Sequence, residues 1–263
     1  MDDIHVLIVE DDPYARNWMA LLAARDLRTR VVGELDEPSS LIRILEKNYQ
    51  KVDLILLDTD IPSGEDWILR IRNTMNSLEK NPLIICTGIL ANHRVLTQLN
   101  DPYFAGYVLK AEIDNSLSWA ISLAVNGNWV ITDSIQALAS EVNFQLPKPC
   151  VVLEGRYAVQ NLTAHQAQVA RLAFLFSMER RDLADELGVT EDWGYGLVSA
   201  VYEKIGLKDI LSDDIEVQDY LGKHTLLSAY FDRIKEETEG PGKTRDMETL
   251  AFHLLTMPEM REL

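Results

Sequence analysis

The feature that most constrains the fold is an alternation of two sequence periods in the first half of the chain. Short segments rich in β-branched and aliphatic residues are His5–Val9, Arg30–Gly33, Leu54–Leu57, Leu83–Cys86 and Tyr107–Leu109. Between and after them, apolar residues recur with helical spacing in Pro13–Ala24, Pro38–Tyr49, Asp66–Met75, Asn92–Leu99 and Asn115–Val125. Strands that alternate with helices form a parallel sheet with helices on both faces. The pattern predicts an α/β domain with a five-stranded parallel sheet.

The alternation stops after Asn143, and the next segment, Phe144–Cys150, contains two prolines that break regular structure. Beyond it the apolar spacing is helical. We therefore predict a first domain at 1–134, a linker at 135–161, an all-α domain at 162–211 and extra C-terminal helices at 212–263. In the last predicted helix, one apolar face is formed by Met247, Leu250, Ala251, Leu254 and Leu255.

Composition and charge limit the classes of protein to consider. The net charge is −17 and no segment is basic overall, which argues against strong nonspecific binding to nucleic acid. The two cysteines, Cys86 and Cys150, imply no disulfide framework. No apolar run reaches the ~18 residues of a membrane helix, and the acidic start does not resemble a secretion signal. We expect a cytoplasmic protein that does not associate with membranes.

Carboxylates and a lysine follow the predicted strands, at the edge where open parallel sheets form their functional crevice. Glu10 and Asp11 follow the first strand, Asp58 the third and Lys110 the fifth. Clustered carboxylates repel each other and need a divalent cation, and oxygen ligands favour Mg²⁺. The sequence predicts a Mg²⁺ site formed by Glu10, Asp11 and Asp58 and completed by the backbone carbonyl of Asp60.

The same edge carries the groups that phosphoryl transfer requires. One carboxylate can act as a nucleophile toward phosphorus, while Lys110 and the metal neutralise charge on the phosphoryl oxygens. Thr87, at the end of the fourth strand, offers a hydroxyl to a phosphoryl oxygen, and Gly88 leaves room for the group. Pro62 shapes the loop after Asp58. These residues predict a phosphoryl-transfer site.

Motifs at four of these strand ends resemble the receiver domain of two-component response regulators. They are Val9–Pro13, Leu56–Pro62, Thr87–Gly88 and Gly106–Lys110. The resemblance covers residues 4–133 and implies a flavodoxin-like sheet with strand order 2-1-3-4-5 and a sensor histidine kinase as phosphodonor. It implies that Asp58 is the phosphoacceptor, that Thr87 and Tyr107 are a switch pair, and that Lys110 binds the phosphoryl group.

The resemblance also implies a mechanism of regulation. Phosphorylation of Asp58 would draw Thr87 and Lys110 toward the phosphoryl group and let Tyr107 turn inward. The face formed by the fourth helix, fifth strand and fifth helix would then change. This change would favour a homodimer or release residues 162–263. The chain would be a phosphoacceptor that modifies only itself, not an enzyme with turnover.

A second interpretation is a phosphatase of the haloacid-dehalogenase type. Asp58 and Asp60 resemble its Asp-x-Asp motif, in which the first aspartate is the nucleophile and the second the acid and base. Such enzymes also need a later lysine followed by an acidic metal motif, and no such motif follows Lys110. This interpretation leaves Glu10 and Asp11 without a role.

The second half of the chain resembles the helix-turn-helix output domain of the NarL/LuxR subfamily of response regulators. The exit segment, first helix, scaffold helix with its turn, and end of the recognition helix correspond to Asn115–Ser134, Leu162–Leu172, Asp182–Glu191 and Val198–Leu207. Between Val169 and Ala184 this chain has one residue more than the usual pattern.

The resemblance is weakest where the recognition helix should contact DNA. The family has lysines and polar residues there, whereas Glu191–Gly196 contains two carboxylates and two glycines. Two functions of this helix-turn-helix region therefore stay open. It could bind DNA, so that the chain is a transcription regulator when phosphorylated, or it could be a scaffold that binds a protein. Candidate contact residues for these functions are Arg180, Arg181, Trp193, Tyr195 and Lys204.

Overall fold

The computed structural model describes residues 3–48, 51–61, 67–78, 81–156, 162–211 and 243–263. The chain divides into two units. The sheet unit comprises Met1–Arg156 and Pro258–Leu263, and the helical unit comprises Tyr157–Met257. The chain leaves the sheet unit after Arg156 and returns to it at Pro258, so the helical unit is an insertion.

The sheet unit contains a sheet of eight strands in the order β2-β1-β3-β4-β5-β6-β7-β8. The strands are β1 (Ile4–Val9), β2 (Thr29–Leu35), β3 (Leu54–Asp58), β4 (Leu83–Gly88), β5 (Phe104–Leu109), β6 (Trp129–Thr132), β7 (Cys150–Arg156) and β8 (Pro258–Glu262). Neighbouring strands are parallel except β7 and β8, which are antiparallel. The first five strands have the predicted order. The prediction of a five-stranded sheet is wrong, because three more strands follow β5.

Helices cover the sheet between its strands. They are α1 (Pro13–Ala24), α2 (Pro38–Asn48), α3 (Trp67–Met75), α4 (His93–Leu96), α5 (Lys110–Ile113), α6 (Leu117–Val125) and α7 (Asp133–Glu141). Helices α1 and α6 pack together, and α2 packs against α3. The start of α1 follows from its sequence, since Pro13 occupies the first turn and the Asp12 carboxylate accepts the Tyr14 N–H at 2.7 Å and the Ala15 N–H at 3.0 Å.

Two elements of the sheet unit lie where the sequence predicts a linker. Most of α7 and all of β7 fall within 135–161. Val151, Val152 and Leu153 are buried between β6 and β8, as short β-branched runs in the interior of a sheet usually are. The two prolines of Phe144–Cys150 therefore precede a strand and do not mark a boundary between domains.

The fifth and sixth strands approach each other unusually closely at Gly106. The register pairs Gly106 with Val130 and Tyr107 with Ile131. A Cβ atom built on Gly106 would lie 2.2 Å from the Val130 carbonyl oxygen. A strand glycine often marks such a close backbone approach, and here it permits the pairing that extends the sheet beyond β5.

The helical unit begins with α8 (Ala164–Ala170), which continues as a π-helical turn at Arg171–Leu175. Thr163 and Gln166 form a reciprocal capping box at its start. A π-helical turn accommodates one additional residue in a helix. It therefore gives a structural account of the extra residue between Val169 and Ala184.

The remaining described helices of this unit are α9 (Arg180–Leu187), α10 (Glu191–Lys204), α11 (Leu207–Leu211) and α12 (Lys243–Thr256). Gly188 ends α9 in the left-handed conformation, with φ of 65°, and the Thr190 side chain caps α10. Gly194 is buried where α10 lies against Ala184 of α9. The arrangement of α9, turn and α10 agrees with the predicted helix-turn-helix.

The last helix is more deeply buried than its predicted apolar face required. Besides Leu250, Ala251, Leu254 and Leu255, the structure buries Phe252 and His253. Helix α12 packs against α11 and the π-helical turn. The part of the predicted C-terminal helices that falls within 212–242 lies outside the described residues. Within the described ranges, no helix is long and apolar enough to cross a membrane.

Candidate phosphoryl-transfer site

The carboxyl ends of four adjacent strands bring the predicted site residues together. Asp58 is the last residue of β3 and pairs with Thr87 of β4. Glu10 follows β1, whose Val9 pairs with Leu57 of β3. Lys110 begins α5 directly after β5. The parallel register therefore places residues that are far apart in sequence at one edge of the sheet.

A buried ion-pair triad forms the centre of this site. The Lys110 Nζ atom lies 2.6 Å from Glu10 Oε2 and 3.0 Å from Asp58 Oδ1. Both carboxylate side chains are 1% exposed, and the lysine side chain is 22% exposed. Desolvation of buried charges is costly, so the single cation stabilises two carboxylates that would otherwise repel each other.

Burial and the lysine act on the pKa values in opposite directions. Burial raises the pKa of Asp58 above its ordinary value, and the hydrogen bond from Lys110 opposes this effect only in part. Burial also raises the pKa of Glu10, again opposed by Lys110, while the Asp58 charge adds to the increase. Burial lowers the pKa of Lys110, but hydrogen bonds to Glu10 and Asp58 outweigh it and leave this pKa raised. The site holds more negative charge than its lysine can neutralise.

The oxygen ligands of the site fit a hard divalent cation. Glu10, Asp11 and Asp58 each offer one carboxylate oxygen, and these atoms lie within 4.8 Å of one another. Asp11 is exposed, so one side of the cluster is open to water and to a phosphoryl donor. Three oxygens with an open side match the preference of Mg²⁺, which keeps several waters. The role of the Asp60 carbonyl stays a prediction, and Pro62 lies outside the described residues.

Thr87 offers an unused hydroxyl at the same edge. Its side chain is buried, at 2% exposure, and its Oγ1 atom has no hydrogen-bond partner among the residues that the structure describes. A buried polar group without a partner costs free energy. Asp58 is paired with Thr87 in the register of β3 and β4. A phosphoryl oxygen on Asp58 would therefore supply the acceptor that the Thr87 hydroxyl lacks.

Tyr107 is already turned into the protein. Its side chain is fully buried, and its hydroxyl donates to the Leu90 carbonyl oxygen at 3.2 Å. Burial raises the pKa of Tyr107 to about 12, and a hydrogen bond with Thr59 opposes the increase. The structure thus places Tyr107 in the inward position, and its movement on phosphorylation stays a prediction.

Thr59 is a residue that the sequence interpretation missed. Its hydroxyl donates to the Thr87 carbonyl oxygen at 2.9 Å and its N–H to the same oxygen at 2.8 Å. A Cβ atom on Gly88 would lie 3.0 Å from Thr59 Oγ1 and 3.3 Å from the Tyr107 hydroxyl. Gly88 thus permits the close packing of Thr59 and Tyr107. Nothing in the sequence distinguishes Thr59 from an ordinary turn residue.

The predicted contact residues of the helical unit differ in accessibility. Arg180 is largely buried, and its Nη2 atom lies 2.6 Å from Glu248 Oε1. This intramolecular ion pair makes Arg180 less accessible than the other candidate cations, and its role as a contact residue stays a prediction. Arg181 and Lys204 are exposed. Trp193 is 63% exposed and Tyr195 53%.

Comparison with known proteins finds similarity to solved structures only. No protein-family model matches the chain, and no curated protein matches it. The DNA complex of the two-component response regulator RcsB is 20% identical, with 85% of this chain and 100% of that chain covered and a TM-score of 0.46. The isolated receiver domain of RcsB from Salmonella enterica serovar Typhimurium, in the presence of the phosphomimetic BeF3⁻, is 22% identical, with 52% and 99% covered and a TM-score of 0.45.

ChrA, a response regulator of a heme-sensing two-component system, is 17% identical, with 89% of this chain and 99% of that chain covered and a TM-score of 0.43. These three solved structures are of response regulators. The chain itself is an α/β protein with an acidic cluster and a lysine at the carboxyl edge of its sheet, and with a helical insertion between β7 and β8.

Proposed function

We propose that the chain is a phosphorylation-controlled response regulator in which Asp58 accepts a phosphoryl group. The convergence of Glu10, Asp11, Asp58 and Lys110 around one opening supports this proposal most strongly. The Thr87 hydroxyl at the same edge, which has no hydrogen-bond partner in the described part of the chain, supports it independently. A sensor histidine kinase is the proposed donor.

The reaction is a transfer of a phosphoryl group from a phosphohistidine of the kinase to this chain. An oxygen of the Asp58 carboxylate forms a bond to phosphorus, the phosphorus–nitrogen bond breaks, and the electron pair stays on the imidazole. Lys110 then pairs with a phosphoryl oxygen, and the Thr87 hydroxyl donates to another. Charge stabilisation and positioning of this kind are the main catalytic tasks in phosphoryl transfer.

A divalent metal would be held by Glu10, Asp11 and Asp58. When bound, Mg²⁺ supplies positive charge to the phosphoryl oxygens. Lys110 carries one positive charge, whereas Glu10 and Asp58, which both contact it, carry two negative charges when ionised. The site therefore gains from a second cation.

The position of Asp60 disfavours the alternative of a dehalogenase-type phosphatase. Such an enzyme needs the second aspartate as acid and base beside the nucleophile. The Asp60 carboxylate instead accepts the backbone N–H of Ile89, while its own N–H donates to Asp58 Oδ1 at 3.3 Å. A single stoichiometric phosphorylation is expected, without sustained turnover of a phosphomonoester.

Labelling with a small phosphodonor tests the acceptor. The full chain is incubated with Mg²⁺ and radiolabelled acetyl phosphate, and acyl phosphate is detected by its lability to hydroxylamine. Asp58→Asn should abolish the label. Asp12→Asn is the matched control, since Asp12 is exposed at the same edge and asparagine still caps a helix. Full labelling of Asp58→Asn would refute the assignment.

For the output we propose DNA binding controlled by phosphorylation, with a homodimer as the binding form. The helix-turn-helix arrangement of α9 and α10 and the exposed Arg181 and Lys204 support this proposal. The first turn of α10 carries the exposed carboxylates Glu191 and Asp192, which would repel phosphates. Affinity for DNA would then depend on the cationic side chains of Arg181 and Lys204 and on dimerisation.

The exposure of Trp193 and Tyr195 favours a second candidate, in which α10 binds a protein. Aromatic side chains are enriched among the residues that dominate protein interfaces. Trp193→Ala would weaken such a complex. DNA affinity of the phosphorylated chain measured against salt separates the two outputs, because each phosphate contact contributes a slope of about −0.9. A slope near zero would contradict the DNA-binding proposal.

A further inference from the structure

An interlock between α5 and α7 flanks the proposed phosphate-binding lysine. Thr132, the last residue of β6, precedes α7 and is well placed to cap it. Its side chain makes no capping hydrogen bond. The Thr132 hydroxyl oxygen instead accepts the backbone N–H of Leu109 at 3.2 Å. Leu109 immediately precedes Lys110.

Helix α7 receives its cap from α5 in return. The Glu112 carboxylate accepts the backbone N–H of Ser134 at 3.2 Å and also accepts the Ser134 hydroxyl. Ser134 is the second residue of α7, so Glu112 satisfies one of the N–H groups that a helix leaves unpaired at its start. The side chains of Thr132 and Glu112 thus each accept a backbone N–H at the start of the opposite helix.

The two contacts lie on either side of Lys110 in the sequence. The Leu109 N–H contact is one residue before it, and the Glu112 carboxylate contact is two residues after it. Thr132 is fully buried, which makes its hydrogen bond costly to lose. The backbone of Lys110 is therefore held by β6 and α7, which are absent from the five-stranded sheet that the sequence predicted.

We propose that Thr132 and Ser134 are positioning residues for phosphoryl transfer, which fix the Lys110 ammonium between Glu10 and Asp58. This inference rests on the proposed function of Asp58. It assigns the sixth strand a role in the reaction, in addition to its role in the sheet. A rotation of α5 by a small angle would move the Nζ atom, at the end of a long side chain, away from its two carboxylates.

Substitution of the hydroxyl tests this role. Thr132→Val has nearly the same shape and lacks the hydroxyl, and should slow labelling of Asp58 by acetyl phosphate by roughly tenfold, within the range that misplaced catalytic groups cause. Thr132→Ser keeps the hydroxyl and should restore the rate. Thr97→Val is the control, since Thr97 is exposed at the end of α4 and bonds only to carbonyl oxygens of its own helix.

Affinity for Mg²⁺ alone distinguishes positioning from general damage to the site. Lys110 occupies the same carboxylates as the metal, so a displaced lysine should leave the Mg²⁺ affinity of Thr132→Val unchanged or increased. A partly unfolded site should bind Mg²⁺ more weakly. Slower labelling with undiminished Mg²⁺ affinity supports the proposal, whereas a loss of both overturns it.

The outcomes separate this inference from the function on which it rests. If the unsubstituted chain is not labelled at Asp58, the proposed function fails. If it is labelled and Thr132→Val is labelled at the same rate, the positioning role fails alone. Should Thr132→Val not fold, Ser134→Ala decides, since it removes the hydroxyl contact to Glu112 and leaves the backbone contact in place. An unchanged labelling rate in that variant overturns the proposal.

Discussion

Replacement of Gly106 by alanine should separate β6 from β5. The added Cβ atom would lie 2.2 Å from the Val130 carbonyl oxygen and 3.0 Å from the Val130 carbonyl carbon. Carbon and oxygen atoms in adjacent strands ordinarily lie about 3.3 Å apart or more. The two strands would therefore have to move apart by about 1 Å, and the clash is with backbone, which cannot rotate away.

The cost follows from the contacts that this movement breaks. Overpacking costs about 1–3 kcal/mol, and each hydrogen bond lost from the ladder costs about 1 kcal/mol more. If two such hydrogen bonds are lost, Gly106→Ala should lower the free energy of unfolding of the sheet unit by about 3–5 kcal/mol. The matched control is Gly33→Ala in β2, where the new atom would lie 2.8 Å from Leu7 Cδ1. That atom is the end of a flexible side chain, so the cost should be about 1 kcal/mol or less.

Urea unfolding combined with amide hydrogen exchange measures both effects. The unfolding midpoints give the difference in free energy between the two variants. Exchange at Val130 and Ile131 reports whether β6 itself has opened. Equal stability of Gly106→Ala and Gly33→Ala, with unchanged protection in β6, would refute the argument from close backbone approach.

Three further predictions concern the metal, pH and α10. Mg²⁺ at a hundred times its Kd should raise the free energy of unfolding of the sheet unit by about 2.7 kcal/mol, and Asp11→Asn should lose most of this gain in a thermal melt. Because burial raises the pKa of Asp58, the folded, metal-free chain binds this proton more tightly than the unfolded chain. The free energy of unfolding of this chain should therefore rise as pH falls through the raised pKa of Asp58, and the rise should be complete below the ordinary pKa of an aspartate. Urea unfolding of Asp58→Asn at the same pH values should lack this rise. Gly196→Ala meets nothing within 4 Å and should stabilise α10 by about 1 kcal/mol, whereas a loss of helicity by circular dichroism would contradict the open surface assigned to it.

The acidic site could be predicted from sequence because it depends on strand ends. Asp58 ends an apolar run, and Glu10 and Lys110 directly follow two others. Parallel strands put their carboxyl ends at one edge whatever the details of packing. The hydrogen bonds of Tyr107 with Thr59 and Leu90 could not be predicted in the same way, because only the folded loops bring these residues together.

Two of the three additional strands, β6 and β8, were hard to predict because they are short, and β8 pairs with a strand far away in the sequence. Strand β6 has four residues and β8 begins with a proline, so neither shows a clear period. Gly106 was the available signal, since a glycine inside a strand often indicates a close neighbouring backbone. The ion pair of Arg180 could not be predicted because its partner, Glu248, lies far along the chain.

The return of the chain at Pro258 determines how the two units can be separated. A truncation after Arg156 would remove β8 and leave β7 as an unprotected outer strand, which is a template for aggregation. The antiparallel register places Arg156 opposite Pro258, and such paired residues are only about 5 Å apart. A tight turn that joins these two residues would turn β7 and β8 into a simple hairpin. Excision by splicing, in place of truncation, is therefore the way to obtain the sheet unit alone.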